Sequence, residues 1–184
     1  MMGNRGILHD DARRIVRVWQ VRRWIACVLE FRGRRRAVMT PHRYTELFFL
    51  DEAAALSAGH RPCAECRRAD YRRFQSFWRV CHGDTADADE MDLRLHSERA
   101  AGKQKRTYRA GFASLPDGAY VALHGAPWLV LGESIHRWSD SGYVERRDRP
   151  ASGDVEVLTP RSLVAVLAAG YVPALHSSAT AGRH

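Results

Sequence analysis

Apolar and polar positions alternate early in this chain. Ile15, Val16, Val18, Trp19 and Val21 are interleaved with Arg14, Arg17 and Gln20, which predicts a strand over 14–21. The run from Trp24 to Phe31 predicts a second strand, and Arg32-Gly33-Arg34 turns into a further one over Arg36 to Met39. The period then lengthens. Asp51 caps a helix from Glu52 to Ala58 that Gly59 stops. Tyr71, Phe74 and Trp78 recur at helical spacing within Glu65 to Val80, giving an aromatic face for the core and an Arg-rich face outward. A third helix, Ala88 to Ala101, opens with acidic residues that suit its positive end and finishes at Gly102.

Beyond Thr107 the pattern returns to short apolar runs. A turn at Leu115-Pro116-Asp117-Gly118 precedes strands at Ala119 to His124, Trp128 to Leu131 and Val155 to Leu158. Thr159-Pro160 then starts a helix reaching Ala169, with Thr as cap, Pro at the first position and Gly170 after the end. The fold class expected is α+β: N-terminal strands, a pair of helices joined by a turn, and a small β-rich C-terminal part closed by a helix. Residues 1–102 form a basic front part and 103–184 a β-rich rear part, with Gly102 to Thr107 as linker, either as two units or around one core.

At 184 residues, 45% hydrophobic and 27% charged, the chain has the composition and length to bury a core. No stretch approaches about 18 uninterrupted apolar residues, and Met1 to Arg5 has no apolar signal core behind it. A membrane partner is therefore not expected, and the expected compartment is the reducing cytoplasm. Charge changes the picture more. Through Arg109 there are 23 Lys and Arg against 14 Asp and Glu, and beyond it 6 against 7, so the whole positive excess lies in front. Arg, whose planar fork matches phosphate oxygens, supplies nearly all of it, which makes nucleic acid the expected partner. The bland alternative is a solvated surface written by a GC-rich genome, as in many small basic bacterial proteins.

Two of the four Cys stand in Arg61-Pro62-Cys63-Ala64-Glu65-Cys66-Arg67-Arg68, just after a helix stop. A Cys-x-x-Cys turn brings two thiolates onto one metal ion, and Zn2+ is the expected cofactor. A disulfide there would close too small a loop to stabilise much, and a redox pair of the thioredoxin type normally follows a strand, whereas the element expected upstream here is a helix; inert or redox thiols are the alternatives to zinc. The run from Phe48 to Cys66 resembles the second half of the Ada-type zinc-binding module, in which a strand, an Ala-rich helix ending in Ala-Gly, an aromatic residue and Arg-Pro-Cys-x-x-Cys follow one another. His60 stands at the aromatic position. The resemblance implies Cys63 and Cys66 as the later ligand pair and an association with DNA. The earlier pair of that module, with its methyl-accepting thiolate, has no counterpart here, so methyl transfer is not implied.

Two more ligands are needed, and the candidates are Cys27 and His42 first, then His60 and His96, Cys27 having a buried apolar role as its alternative. Cys81 and His82 close a helix of some 20 Å and fall too far from Cys63. For phosphate contacts, Arg67, Arg68, Arg72 and Arg73 follow the Cys turn directly. His96 on the third helix is the candidate general base of a small enzyme, with Glu46, which follows His42 closely, or Glu98 as its carboxylate partner and Tyr44 as a further pocket residue, against an ordinary structural His. No His-Glu-x-x-His, Gly-x-Ser-x-Gly, phosphate-binding Gly loop or zinc-deaminase motif is present. The function read from the sequence is thus a zinc-stabilised nucleic-acid-binding protein related to DNA repair or processing. The alternative is a small hydrolase or glycosylase acting on nucleic acid or a nucleobase.

Overall fold

The computed structural model describes residues 1–33, 37–83 and 87–180. Its first sheet is made of four very short strands, β1 (Met2–Asn4), β2 (Ile25–Cys27), β3 (Leu47–Phe48) and β4 (Arg61–Pro62), in the order β3-β1-β2-β4. The β2–β4 pair is parallel, with Ile25 opposite Arg61 and Ala26 opposite Pro62. Pro62, which has no N–H to give to a ladder, sits on the edge strand where none is needed.

The alternating segment 14–21 is not a strand. Ile15 makes one bridge to His9, Val16 and Arg17 donate N–H bonds to Leu8 O, and Gln20 and Val21 donate to Arg5 O. Ile15, Val16, Val18 and Val21 remain exposed. Their period was right for a strand, but no second layer lies over the segment to bury one of its faces. The strand expected over Trp24 to Phe31 shrinks to Ile25–Cys27, and residues 37–39 of the next form a turn with Met39 at φ 55°. Arg36, like Arg34 and Arg35, lies outside the described residues.

Four helices follow the sequence pattern closely. In α1 (Glu52–Ser57) the Asp51 carboxylate accepts from the Ala54 N–H at 2.8 Å, the expected cap. Helix α2 (Arg68–His82) buries Phe74 and Trp78 and leaves its Arg face in solvent. Helix α3 (Ala88–Arg99) is capped by Asp87, and residues 100–105 form a tight hairpin of β5 (Ala100–Ala101) and β6 (Gln104–Lys105) where a linker was expected. Helix α4 (Arg161–Ala168) has Pro160 at its cap position, because the Thr159 hydroxyl is turned away to accept from the Tyr120 N–H. Among the described residues no helix is long and apolar enough to cross a membrane.

The rear sheet has six antiparallel strands in the order β11-β10-β9-β8-β12-β7: β7 (Tyr108–Gly111), β8 (Tyr120–Leu123), β9 (Ala126–Leu131), β10 (Ser134–Ser139), β11 (Gly142–Asp148) and β12 (Asp154–Val157). Its side chains alternate between two apolar clusters, as a twofold strand period requires. Val121, Trp128, Val130, Val155 and Val157 pack with Phe74 and Trp78 of α2, Met91 and Leu95 of α3 and Leu163 and Val166 of α4. Tyr120 and Leu129, on the other face, meet Ala53 and Ala54 of α1. Helices from the front part and strands from the rear part therefore share one core. The class is α+β, as the pattern predicts.

A buried polar network locks α1 to the C-terminal segment. The Asp51 carboxylate also accepts from the Tyr143 hydroxyl at 2.7 Å and from the His176 N–H at 3.1 Å. Glu52 accepts from the Tyr171 hydroxyl at 2.7 Å, the Ala174 N–H at 2.9 Å and the Arg67 guanidinium at 2.8 Å. These carboxylates are saturated with donors, which is what permits them to be buried.

Candidate metal centre

Parallel strands carry their ends to the same edge of a sheet, and this is how two distant cysteines meet. Because Ala26 is opposite Pro62 in the β2–β4 register, Cys27 and Cys63 follow at adjacent positions, with the Cys63 N–H donating to Ala26 O at 3.0 Å. The Cys pair therefore follows a strand, β4, rather than directly a helix as the sequence pattern suggests, and the chain then turns at once toward α2. An N–H bond from Arg67 to Cys63 O at 3.1 Å closes the turn and returns Cys66 toward the same point. The sulfurs of Cys27, Cys63 and Cys66 all lie within 4.8 Å of one another, and the three residues form a group that can hold a metal ion. Three thiolates about 2.3 Å from a tetrahedral ion would stand a little under 4 Å apart, so the cluster closes on an ion with sub-ångström shifts.

The backbone around the sulfurs is arranged for negative charge. Cys63 is held down at about 5 by a hydrogen bond from the Cys27 thiol, against the opposing effect of burial, with help from the N–H groups of Cys66 and Glu65. Cys27, which gives that bond, is raised. Burial raises Cys66 against an N–H bond from Val28. N–H groups aimed at sulfur are what a thiolate ligand needs in place of water.

Of the candidates for a further ligand, the fold brings Cys27 to the pair and leaves out His60, His96 and His42, the last exposed on a turn at φ 61°. Cys81 and His82 are likewise elsewhere: Cys81 donates to Ala165 O, and His82 packs edge-on against Trp78. Among the described residues no fourth Cys, His, Asp or Glu joins the group.

Buried ion pairs anchor the turn that carries the cluster on both sides. Arg61, two residues before Cys63, makes a bidentate pair with Asp92 of α3, Nε to Oδ1 at 3.0 Å and an NH2 nitrogen to Oδ2 at 2.7 Å, with both side chains buried. On the other side of the turn, Arg67 is paired with Glu52 and Asp70. That placement corrects one expectation: Arg67 does not reach outward to phosphate, because its guanidinium neutralises the buried Glu52. Arg73 is exposed, but it leans over the Tyr171 ring and donates to Val172 O. Arg68 and Arg72 do project from α2, and Arg79 extends their stripe at helical spacing, which the sequence reading had not included. None of these three makes a side-chain ion pair or hydrogen bond among the described residues.

The acid–base candidates serve different neighbourhoods. Glu46 accepts from the Met39 N–H at 2.9 Å and shapes the loop before β3. His96 stands edge-on to Trp19, with ring centroids 4.5 Å apart, and its buried Nδ1 has no partner. Burial, with Arg99 and Arg22 nearby, lowers its pKa and keeps the ring neutral. Comparison of the chain with protein-family models, with curated proteins and with solved structures finds no match.

Proposed function

We propose that the protein is a zinc-stabilised nucleic-acid-binding protein, of use in DNA processing, in which Cys27, Cys63 and Cys66 hold the ion and the helix that follows meets phosphates. The observation that carries the reading is the three-cysteine group at the foot of α2, a helix whose outer stripe presents Arg68, Arg72 and Arg79. Thiolate ligands favour zinc over the hard cations. The ion would fix the turn that aims α2, and three protein sulfurs leave one of its four positions to a ligand from elsewhere. Phosphate binding by the Arg stripe is sequence-tolerant and releases counterions, so affinity falls with salt.

The test is fluorescence anisotropy of labelled single- and double-stranded oligonucleotides over a salt series. Replacing Arg68, Arg72 and Arg79 by Gln is expected to weaken binding and to reduce the log–log salt slope by as much as about 3. Binding that is undetectable at low salt, or unchanged by the triple replacement, removes nucleic acid from the reading. A second reading, a small hydrolase or glycosylase working through His96, is favoured by its neutral ring and unpartnered Nδ1. Glu46 would enter it only by leaving the Met39 N–H.

A further inference from the structure

Away from the cysteines, a cleft of about 410 Å³ opens between the N-terminal segment, the end of α1 and the β5–β6 hairpin. It is lined by Arg5, Trp19, Trp24, Arg99, Lys103 and Lys105 among others, and no Asp or Glu is among its lining residues. Cations are collected here with only neutral partners. Arg99 is 1% exposed and donates to Gly59 O at 2.6 Å and to Arg22 O, while its Nε is buried without a partner. Arg5 reaches the His60 Nε2 at 3.3 Å, and Lys105 donates to Ser57 O at 2.6 Å. The guanidinium carbons of Arg5 and Arg99 each lie 4.1 Å from the Trp24 ring centroid. Asp92, the carboxylate that acts on Arg99, has both oxygens committed to Arg61.

The strain of this arrangement is visible in its electrostatics. Desolvation brings Arg99 down to about 9, Arg5 to about 10 and Lys105 to about 8, and Arg5 and Arg99 add their own repulsion to Lys105. The chain nevertheless reserves room for it: at Gly59, φ +83°, a Cβ would fall 2.5 Å from Arg99 Cδ. Arg99, buried on carbonyl oxygens and the Trp24 ring with no carboxylate of its own, is unfavourable until an anion joins it, and Arg5 and Lys105 stand on the more open side of the cleft where that anion would enter.

We propose that this cleft binds a nucleotide-sized phosphate monoester, its phosphoryl group among Arg5, Arg99 and Lys105 and the remainder along Trp19. The charge requirement selects an oxyanion, and guanidinium forks match the tetrahedral oxygens of phosphate. The size selects more than the bare ion, since the cleft falls in the range of about 300–1,000 Å³ that holds small organic ligands. Trp19, fixed by its Nε1–H bond to Gly102 O at 3.0 Å, offers the flat apolar wall. None of these residues belongs to the cysteine group or to the Arg stripe of α2, so the two proposals fail separately.

The experiment is titration of the full chain at low ionic strength with thymidine 5′-monophosphate, inorganic phosphate and thymidine, read by tryptophan fluorescence and calorimetry. The monophosphate is expected to bind, inorganic phosphate to compete with it more weakly, and thymidine not to bind. Lys105→Gln, at an exposed position of the β5–β6 hairpin, is expected to weaken the monophosphate about tenfold or more. Arg68→Gln with Arg72→Gln is expected to leave that affinity unchanged. Oligonucleotides with and without a 5′-phosphate identify the source: preference for the phosphorylated end assigns a strand terminus, and indifference alongside monophosphate binding assigns a free nucleotide. No saturable binding of monophosphate or phosphate up to about 10 mM, equal binding of thymidine, or a folded Lys105→Gln that binds like the parent protein would each overturn the proposal.

Discussion

Replacing Asp92 by Asn tests whether the buried Arg61–Asp92 pair is what holds the cysteine turn against α3. Both carboxylate oxygens are used, at 3.0 and 2.7 Å, and the side chains are 2% and 4% exposed. Asn keeps the shape and one acceptor but leaves the Arg61 charge buried and unneutralised, and it also removes the carboxylate acting on Arg99. Breaking such a pair from one side is destabilising by about 3–5 kcal/mol. In a chain of this length that is a fall in melting temperature of about 6–20 °C, at about 2–4 °C per kcal/mol. Thermal and urea unfolding followed by circular dichroism measure it. Removing both charges, Arg61→Met with Asp92→Leu, is expected to recover most of the loss, because a matched apolar pair replaces a buried ion pair at little net cost. A loss under about 1 kcal/mol for Asp92→Asn, well short of that range, or a double variant no more stable than the single one, would refute the reasoning.

Cys27→Ser is expected to lower metal content and thermal stability as much as Cys63→Ser or Cys66→Ser does, while His42→Ala changes neither; elemental analysis and melting curves after chelator treatment check both. Gly59→Ala is expected to destabilise by roughly 1–3 kcal/mol, since the new methyl meets Arg99 at a left-handed φ, and denaturant midpoints measure it. A pH series tests Lys105, which faces Arg5 and Arg99 and has its folded pKa depressed to about 8 from an ordinary 10.5. The folded state disfavours the charged amine, so the penalty is full below pH 8 and is relieved as pH rises from 8 toward 10.5. The stability advantage of Lys105→Gln over the parent protein is therefore expected to shrink across that window in the absence of phosphate, and a constant difference would contradict the placement.

The parts of the fold legible in the sequence were those fixed by local rules. The Asp51 cap, the aromatic stripe of α2 and the turn at Pro116-Asp117-Gly118 each needed only near neighbours to be read. Strands β1, β7, β10 and β11 carried no comparable signal: Met2–Asn4 is three residues long, and Gly142–Asp148 is largely charged toward its exposed end. The segment 14–21 shows the converse, a correct period that joins no sheet beyond the His9–Ile15 bridge, with Trp19 packing on His96 and its valines left in solvent. At the candidate metal centre, Cys63 and Cys66 were legible from spacing. Cys27 could be placed beside them only by the parallel β2–β4 register, which joins residues with no pattern linking them in sequence. The basic cleft was less legible still. Arg5 has no motif around it, and Arg99 looks like any basic residue at a helix end until Gly59 is seen against it.

Zinc K-edge X-ray absorption on the protein purified under reducing conditions is the most direct test of the metal assignment. About one zinc per chain with three sulfur scatterers near 2.3 Å and one lighter neighbour is the predicted result. A spectrum without sulfur scatterers, or protein that carries no zinc and melts identically when any of Cys27, Cys63 or Cys66 is replaced by Ser, would contradict it.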